Sequence, residues 1–427
     1  MVSPKRRPAP EQTVAPLSRN LLRSAGLGLL MACAAVTARA ESTTTPAAEP
    51  TAPPATDPAA AASTDPVITG SLERHWTNNA FDSDRNVSDW YSLLRGSLQQ
   101  QWGDNDAYAK LNADFQVSHY DHTRIEDDRT LGVSAEAFRR LAPGLELRGT
   151  LSYRVSSTGD NFDIGPLTLG TREAKQIFSA QTQLGIDLGN ATSLILEATD
   201  SFEKLGATHF EDDLILPAKL HADRNLFQLA ARITRTVGQF AFGASASALF
   251  ASVEQIGYPP LFLSFNAYTL RAEAAYKGSD GSTLGLALGA EFLRGANNIY
   301  QRWRPTWQVT FGKPLPRGFE LRGTYFGRYE TSNTDDPLAS WLQRAELEIG
   351  TKLRENLGIA SGIFYEIKDN VLYENQERRK GIYAEATYDA SKSMAIVFRV
   401  DINRTIKTVI DDREHSIDAF IALRAKI

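Results

Sequence analysis

Apolar and polar side chains alternate along most of the chain, from about residue 68 to its end. The clearest case is residues 107–120, in which apolar positions alternate with Lys110, Asn112, Asp114, Gln116 and Ser118. Because consecutive side chains of a strand point to opposite faces, this pattern predicts a strand with one apolar and one polar face. The same period of two recurs in residues 145–155, 284–292, 319–329, 345–353, 394–402 and 417–427. The alternation therefore predicts an all-β protein.

Short and long polar connections alternate between these stretches. The short ones are residues 103–106, 142–144, 189–191, 238–239, 278–281, 314–318, 355–356 and 391–392. The longer ones include residues 121–128, 156–173, 207–221, 332–338, 370–378 and 407–414. Short turns on one side and longer loops on the other are typical of a transmembrane antiparallel β-barrel, with the short turns periplasmic and the longer loops extracellular. The count predicts about 18 strands, with about 16 as the alternative.

An export signal precedes the barrel. Basic residues between Lys5 and Arg23 lead into the apolar run 25–38, which closes with the cleavage pattern Ala38-Arg39-Ala40. The run is too short to span a bilayer as a helix, so residues 1–40 are predicted to be a signal peptide. One alternative stays open, because the residues before Cys33, the only cysteine, resemble a lipoprotein cleavage box that would leave Cys33 acylated.

Residues 41–66 are mostly Ala, Pro and Thr and have no apolar periodicity. Such a segment cannot bury enough surface to offset the entropy of ordering, so a disordered periplasmic tether is expected. The barrel itself is expected to span residues 67–427.

Composition supports a barrel rather than helical membrane spans. The mean hydropathy is −0.30 and the formal net charge is −5. Alternation conceals membrane affinity in such averages, and the acidic balance gives no indication of nucleic-acid binding. We expect the chain in the cell outer membrane, in contact with lipid and lipopolysaccharide. Aromatic residues near strand ends are expected to form the interfacial girdles: Trp90, Trp102, Tyr153, Tyr276, Trp303, Trp307, Trp341 and Tyr388.

A barrel of 16–18 strands leaves room for an aqueous channel. The alternation places many charged residues on the lumen face, and the main lumen-lining candidates are Arg148, Arg322, Arg328, Arg344, Glu346, Glu348, Arg399 and Asp401. They have two interpretations. In the first, most of these charged residues pair across strands and stiffen the wall. In the second, a subset forms a basic ladder that guides an anionic solute or a sugar polymer, namely Arg322, Arg328 and Arg344.

Two further features bear on the lumen. Residues 156–173 are the candidate for an inward constriction loop, through Asp160, Asp163, Arg172 and Glu173. Interior aromatic rings are candidates for stacking against sugar rings, namely Phe326, Phe364, Tyr383 and Phe420.

The sequence contains no nucleophile elbow, no zinc-binding helix motif and no phosphate-binding loop motif. The sequence therefore predicts neither an enzyme nor a cofactor or metal site.

Residues 145–153 and 319–329 share the segment Glu-Leu-Arg-Gly-Thr, which follows a Pro-containing turn and precedes an aromatic residue. In this serial pattern of short strands and small turns, the chain resembles the outer-membrane β-barrel porins of proteobacterial exopolysaccharide gene clusters. The resemblance implies passage of a secreted exopolysaccharide, coupled to a separate periplasmic export protein. The given sequence differs from common barrels at its last residue, Ile427. Common barrels have an aromatic residue there, which the barrel assembly machinery recognises.

Two alternatives stay open beside export. The first is a general or substrate-selective porin for small polar solutes, which would need a constriction. The second is a structural or adhesive barrel whose lumen is closed by its own salt bridges.

Overall fold

The computed structural model describes residues 65–426 except 82–85, 165–166, 211–214, 217–220, 255–263, 299, 332–338, 372–375 and 408–411. The predicted signal peptide, with Cys33, and nearly all of the predicted tether lie outside the described residues. Their boundaries stay predictions.

The described chain consists almost entirely of strands. In order they are β1 Val67–Thr77, β2 Asp89–Gly103, β3 Ala107–Tyr120, β4 Arg129–Ala142, β5 Leu145–Ile164, β6 Leu167–Gly189, β7 Thr192–Phe210, β8 Ile215–Leu216, β9 Arg224–Val237, β10 Phe240–Val253, β11 Phe265–Lys277, β12 Thr283–Gly295, β13 Gln301–Pro314, β14 Phe319–Glu330, β15 Ser340–Arg354, β16 Leu357–Asn370, β17 Gln376–Asp389, β18 Met394–Lys407 and β19 Asp412–Lys426. Three single 3₁₀ turns accompany them, at Arg124–Glu126, Ala296–Asn298 and Pro316–Gly318.

Each long strand pairs in antiparallel fashion with its neighbours along the chain, and β1 also pairs with β19. The two-residue β8 pairs with β7, while β7 pairs directly with β9. The wall is therefore a closed ring of 18 strands. This confirms the predicted transmembrane antiparallel barrel and its strand count. Both ends of the barrel chain lie at the rim of short turns, and the longer loops lie at the opposite rim.

The seam between β1 and β19 runs from Thr69 opposite Lys426 to Thr77 opposite Asp418. Near its outer end, His75 Nδ1 lies 2.9 Å from a carboxylate oxygen of Asp418. The Tyr91 hydroxyl of β2 donates to the other oxygen of that carboxylate at 2.9 Å. The first, second and last strands are thus joined by side chains as well as by the ladder.

Every strand of the wall exposes large apolar side chains on one face. On β11, for example, Leu270 is 64% exposed, whereas the adjacent Thr269 and Arg271 on the other face are half-buried. A closed barrel satisfies its backbone hydrogen bonds internally, so an apolar outer face faces lipid and the polar face lines the lumen. None of the helical turns in the described ranges is long and apolar enough to cross a bilayer.

Aromatic rings lie flat across glycines of neighbouring strands at several places in the wall. Phe364 lies over Gly381 and Tyr383 over Gly362. A Cβ atom added to Gly381 would lie 2.5 Å from the Phe364 ring, so only glycine admits the ring in this position. Such pairing of an aromatic residue with a strand glycine fixes the ring against the sheet instead of letting it project into the lumen.

The tallest part of the wall is formed by β5, β6 and β7. The ladder between β5 and β6 continues to its tip, with Ile164 opposite Leu167. The segment predicted as a constriction loop, residues 156–173, is therefore a paired hairpin. Its length reflects strand extension rather than an unstructured loop, a distinction that loop length in the sequence does not carry.

Candidate functional site in the barrel lumen

The lumen faces of β14 to β18 carry most of the predicted site residues. On these strands the exposed apolar residues Tyr325, Leu347, Ile363, Ile382 and Phe398 face lipid. The residues between them face the lumen, and we call this face the charged wall. It comprises Arg322, Phe326, Arg328, Arg344, Glu346, Glu348, Phe364, Glu366, Tyr383, Glu385, Arg399 and Asp401.

Arg344 lies at the middle of the charged wall. Its Nε and Nη2 donate to Glu346 at 3.2 and 3.0 Å, and its Nη1 donates to Glu366 on β16 at 3.1 Å. The guanidinium carbon lies 4.7 Å from the centre of the Phe364 ring, and that ring lies over Gly381. Glycine, aromatic ring and guanidinium thus form three layers on the wall.

Arg399 repeats this arrangement. Its guanidinium makes a bidentate contact with Asp401, with both hydrogen bonds at 2.8 Å, and its Nη1 donates to Glu385 at 3.5 Å. It lies 4.3 Å from the centre of the Tyr383 ring, which rests over Gly362. The bidentate geometry holds the guanidinium plane in a fixed orientation. The layering is therefore a repeated feature of this wall.

The other two arginines of the predicted ladder are also paired. Arg322 donates to Glu320 at 3.0 and 2.7 Å and lies 3.8 Å from Glu348. Arg328 donates to Glu330 at 3.4 Å and lies over the ring of Phe326 at 4.8 Å. Pairs as exposed as that of Arg322, whose side chain is 60% accessible, contribute about 0–1 kcal/mol. The ladder positions thus carry compensated rather than free positive charge.

The interior aromatic rings proposed as stacking platforms are covered. Guanidinium groups lie over Phe326, Phe364 and Tyr383. The ring of Phe420 packs at 4.5 Å against the ring of His75. The flat groups nearest the lumen on the charged wall are consequently guanidinium planes. Sequence alternation places the rings on the lumen face but does not show which residue lies over them, because that depends on the register between strands.

Arg148 lies on a different part of the wall, on β5. Its Nε is 3.9 Å from Glu136 on β4, and its guanidinium carbon lies 5.8 Å from the ring centre of Phe138. It repeats the pairing of arginine with a carboxylate and a ring, but it is not part of the charged wall.

Of the four residues of the predicted constriction loop, Arg172 and Glu173 have described side chains, and the constriction itself stays a prediction. Arg172 donates to the carbonyl oxygens of Ser157 and Ile125. Glu173 accepts from the Thr208 hydroxyl and lies 2.8 Å from the His221 ring. These contacts tie neighbouring loops to one another. Asp160 and Asp163 belong to paired positions of β5, and their side chains lie outside the described residues.

The lumen faces of β6, β7, β9 and β10 have a different composition, and we call them the small-residue wall. Most of its central positions are small or uncharged: Ser179, Gln181, Gln183, Thr199, Gln228, Ala230, Gly243, Ser245 and Ser247. Its central charges are Glu197 and Arg232, and Arg232 is paired with Glu273 of β11. The side chains of the small-residue wall therefore fill less of the lumen than those of the charged wall.

A metal site is not formed by the described histidines and acidic residues, because no group of three or more of them is close enough together within those residues. The two histidines at the outer end of β3 and in the loop that follows it have separate partners. His119 lies 2.9 Å from Asp127, and His122 lies 2.9 Å from Asp89.

No protein-family model matches the chain, and no curated protein matches it in sequence. Among solved structures, the copper transporter OprC is similar over 85% of this chain and 80% of its own, with 8% identity and a TM-score of 0.52. OccK2 (OpdF) of Pseudomonas aeruginosa, solved with glucuronate, is similar over 85% of this chain and 98% of its own, with 11% identity and a TM-score of 0.47. OpdK of the same organism, solved with vanillate, is similar over 85% of this chain and 98% of its own, with 10% identity and a TM-score of 0.47.

The likeness to OprC supports the fold, a closed antiparallel β-barrel. Together with the closed ring of 18 strands and the apolar outer face, it places the chain in the outer membrane. The solved structures that are similar to it are porins and transporters, not enzymes.

Proposed function

We propose that the protein is a passive outer-membrane channel for small polar solutes. The observation that carries this proposal is the lumen of the 18-strand barrel, in which a charge-compensated wall of layered arginines faces a wall of small polar residues. A lumen of this kind presents polar groups from both walls, and the arginines at the ladder positions are paired with carboxylates. Both properties support passage of neutral and zwitterionic solutes as well as of ions.

Export of an exopolysaccharide, which the resemblance in sequence implies, is less well supported. A sliding polymer gains from exposed rings aligned along its path, and the rings of the charged wall are covered by guanidinium groups. A closed structural barrel is also less well supported, because the small-residue wall lacks the side chains that would fill a lumen.

The test is single-channel conductance of the refolded protein in planar bilayers, together with swelling of liposomes in solutes of graded size. We expect an open conductance and swelling by monosaccharides and amino acids. The Ala230→Trp variant places a large ring on the lumen face of β9 and is expected to lower the conductance by roughly a third. Ala231→Trp, the adjacent position on the lipid face, is the matched control and is expected to leave it unchanged.

A silent wild-type barrel would contradict the proposal. In that case, loss of secreted polymer on deletion of the gene would favour export, and a barrel that stays silent with no secretion defect would favour the structural alternative.

A further inference from the structure

We infer that the outer ends of β14, β15 and β16 fold inside the barrel and form the constriction that limits solute size. This inference rests on the proposed channel function. We call the part of β14 and β15 concerned, residues 328–330 and 339–342, the inner hairpin. Its connecting residues 332–338 lie outside the described residues, and the proposed constriction does not include them.

The lipid-facing side of β14 and β15 changes from exposed to buried toward the outer ends of the strands. On β14 and β15 the odd-numbered residues face lipid, as shown by Tyr325 and Leu347, which are 44% and 39% exposed. Tyr329 and Trp341 continue the same face, yet they are 8% and 2% exposed. They are buried although they lie on the face that is exposed to lipid elsewhere. Something other than lipid must cover them.

The residues that cover them belong to the lumen face of neighbouring strands. Tyr329, Ala339 and Trp341 form one buried cluster with residues of β10, β11 and β12: Ala251, Phe265, Ala267 and Leu293. On those strands the lipid-facing residues are the alternate ones, such as Phe250 and Tyr268, which are exposed. The outer face of the hairpin therefore packs against the inner face of the wall. This is possible only if the hairpin lies inside the barrel.

The backbone pairing shows where the hairpin leaves the wall. The ladder between β13 and β14 ends with Trp307 opposite Gly327, although both strands continue outward beyond this pair. A Cβ atom on Gly327 would lie 2.6 Å from the Trp307 ring, so glycine allows the ring to lie against the strand at this point. The strands thus separate at a position marked by a ring packed on a glycine.

Side chains of the inner wall replace the missing ladder bonds. The Tyr329 backbone N–H donates to Glu291 on β12 at 3.0 Å, and the Thr306 hydroxyl of β13 donates to the Gly327 carbonyl at 2.8 Å. Glu291 is 6% exposed, and a buried backbone N–H without an acceptor would be costly. The inner position of the hairpin is therefore satisfied by specific polar contacts as well as by apolar packing.

Arg304 on the lumen face of β13 completes the attachment. Its guanidinium carbon lies 5.1 Å from the ring centre of Trp341 and 6.0 Å from that of Tyr329. Its Nη1 donates to Asp369 near the outer end of β16 at 3.2 Å. Val371, just beyond β16, packs against the same cluster. The outer ends of β14, β15 and β16 thus fill part of the lumen cross-section at the extracellular end of the barrel.

The test compares the Tyr329→Ala/Trp341→Ala double variant with wild type. Removing both rings releases the outer face of the hairpin, so we expect the conductance to rise about two-fold and larger solutes to enter liposomes. Tyr325→Ala and Trp303→Ala are matched controls, because these rings lie on the lipid face at 44% and 66% exposure. They are expected to leave both quantities unchanged. Folding of each variant is checked by its heat-modifiable migration in gels.

If the double variant fails to fold, Glu291→Ala provides a second variant, which removes the acceptor of the Tyr329 N–H and is expected to raise the size limit in the same direction. A folded variant with unchanged conductance and size limit would overturn the inference while leaving the channel function intact. A wild-type barrel that is silent and becomes conducting only when the rings are removed would support the inner hairpin and overturn the proposal of a constitutively open channel.

Discussion

The charged wall and the small-residue wall belong to one barrel with one alternation of faces, yet they treat the lumen differently. On the charged wall, glycines such as Gly362 and Gly381 receive rings from a neighbouring strand, and arginines cover the rings. On the small-residue wall, residues such as Ser245 and Ser247 end close to the backbone. The comparison teaches that lumen width is set by local layering of side chains and not by strand number alone.

The layering also explains why the arginines of the charged wall do not act as independent charges. Arg328, Arg344 and Arg399 each use their edges for carboxylates and one face for a ring, as Arg344 does with Glu346, Glu366 and Phe364. A cation–π contact contributes about 0.5–2 kcal/mol depending on desolvation. An anionic solute that binds Arg344 would have to compete with two carboxylates held nearby. The carboxylates, rather than the arginines, therefore control how much positive charge the lumen presents.

The largest expected effect comes from removing these carboxylates. In Glu346→Gln/Glu366→Gln, Arg344 loses both charged partners, and we expect the anion-to-cation permeability ratio to rise about three- to ten-fold. Reversal potentials in a salt gradient measure this ratio.

Two further variants sharpen that measurement. Adding Arg344→Gln to the pair of substitutions removes the exposed charge and should return most of the selectivity. Glu197→Gln on the small-residue wall, where no layered arginine has to be uncovered, should change the ratio far less. A double variant with wild-type selectivity would contradict the view that carboxylates mask Arg344.

A smaller effect is expected from filling the glycine positions. In Gly362→Ala the three atoms nearest to the added Cβ all belong to the Tyr383 side chain, so the ring is forced off the wall. We expect a loss of about 1–3 kcal/mol in the free energy of unfolding. Gly185 lies on β6, where an added Cβ would meet its nearest atom at 3.8 Å. Gly185→Ala is therefore expected to change stability by no more than about 0.5 kcal/mol. Denaturant titration of both variants in the same lipid tests the difference, and equal stabilities would refute the layered arrangement.

The smallest effect lies outside both walls, in the loop after β3. Arg74 makes a bidentate contact with Asp121 and thereby lowers the pKa of that carboxyl below its ordinary value. Since the unfolded chain holds this proton more tightly, the contact stabilises the barrel above the ordinary aspartate pKa, and the stabilisation is lost as the pH falls through the lowered pKa.

We therefore expect Asp121→Asn to be slightly less stable than wild type at neutral pH. The difference should shrink as the pH falls below about 4. Denaturant titrations at a series of pH values measure it. A difference that is constant with pH would mean that Asp121 acts through packing rather than through its charge.

Individual residues show which parts of the fold the sequence predicts. Strand number and the two faces followed from alternation, because side-chain direction is a local property of a strand. Trp341 shows the limit, since it continues the lipid-facing pattern and was predicted to lie in an interfacial girdle, but it is 2% exposed within the inner hairpin. Alternation fixes which way a side chain points from its strand, not where the strand lies.

The constriction illustrates the same limit. Residues 156–173 form a long polar connection in the sequence, and their backbone is paired almost to the tip; the constriction at Asp160, Asp163, Arg172 and Glu173 stays a prediction. The inner hairpin that we propose begins where pairing between β13 and β14 ends, at Gly327. That event depends on contacts with β10 to β12, which are distant in sequence. The layers over Gly362 and Gly381 required the register between strands, which the alternation does not supply.

The seam between β1 and β19 has a consequence for how the chain assembles. The ladder that closes the ring joins residues near the two ends of the barrel, so it can form only after the last strand has been made. The entropy of closing a loop grows only with the logarithm of its length, about 0.6 kcal/mol for each doubling, so the distance along the chain adds little to the thermodynamic cost. Its cost is kinetic, because contacts so remote in sequence form late. Until then the edges of β1 and β19 stay unpaired, and the nascent sheet needs a chaperone that shields them.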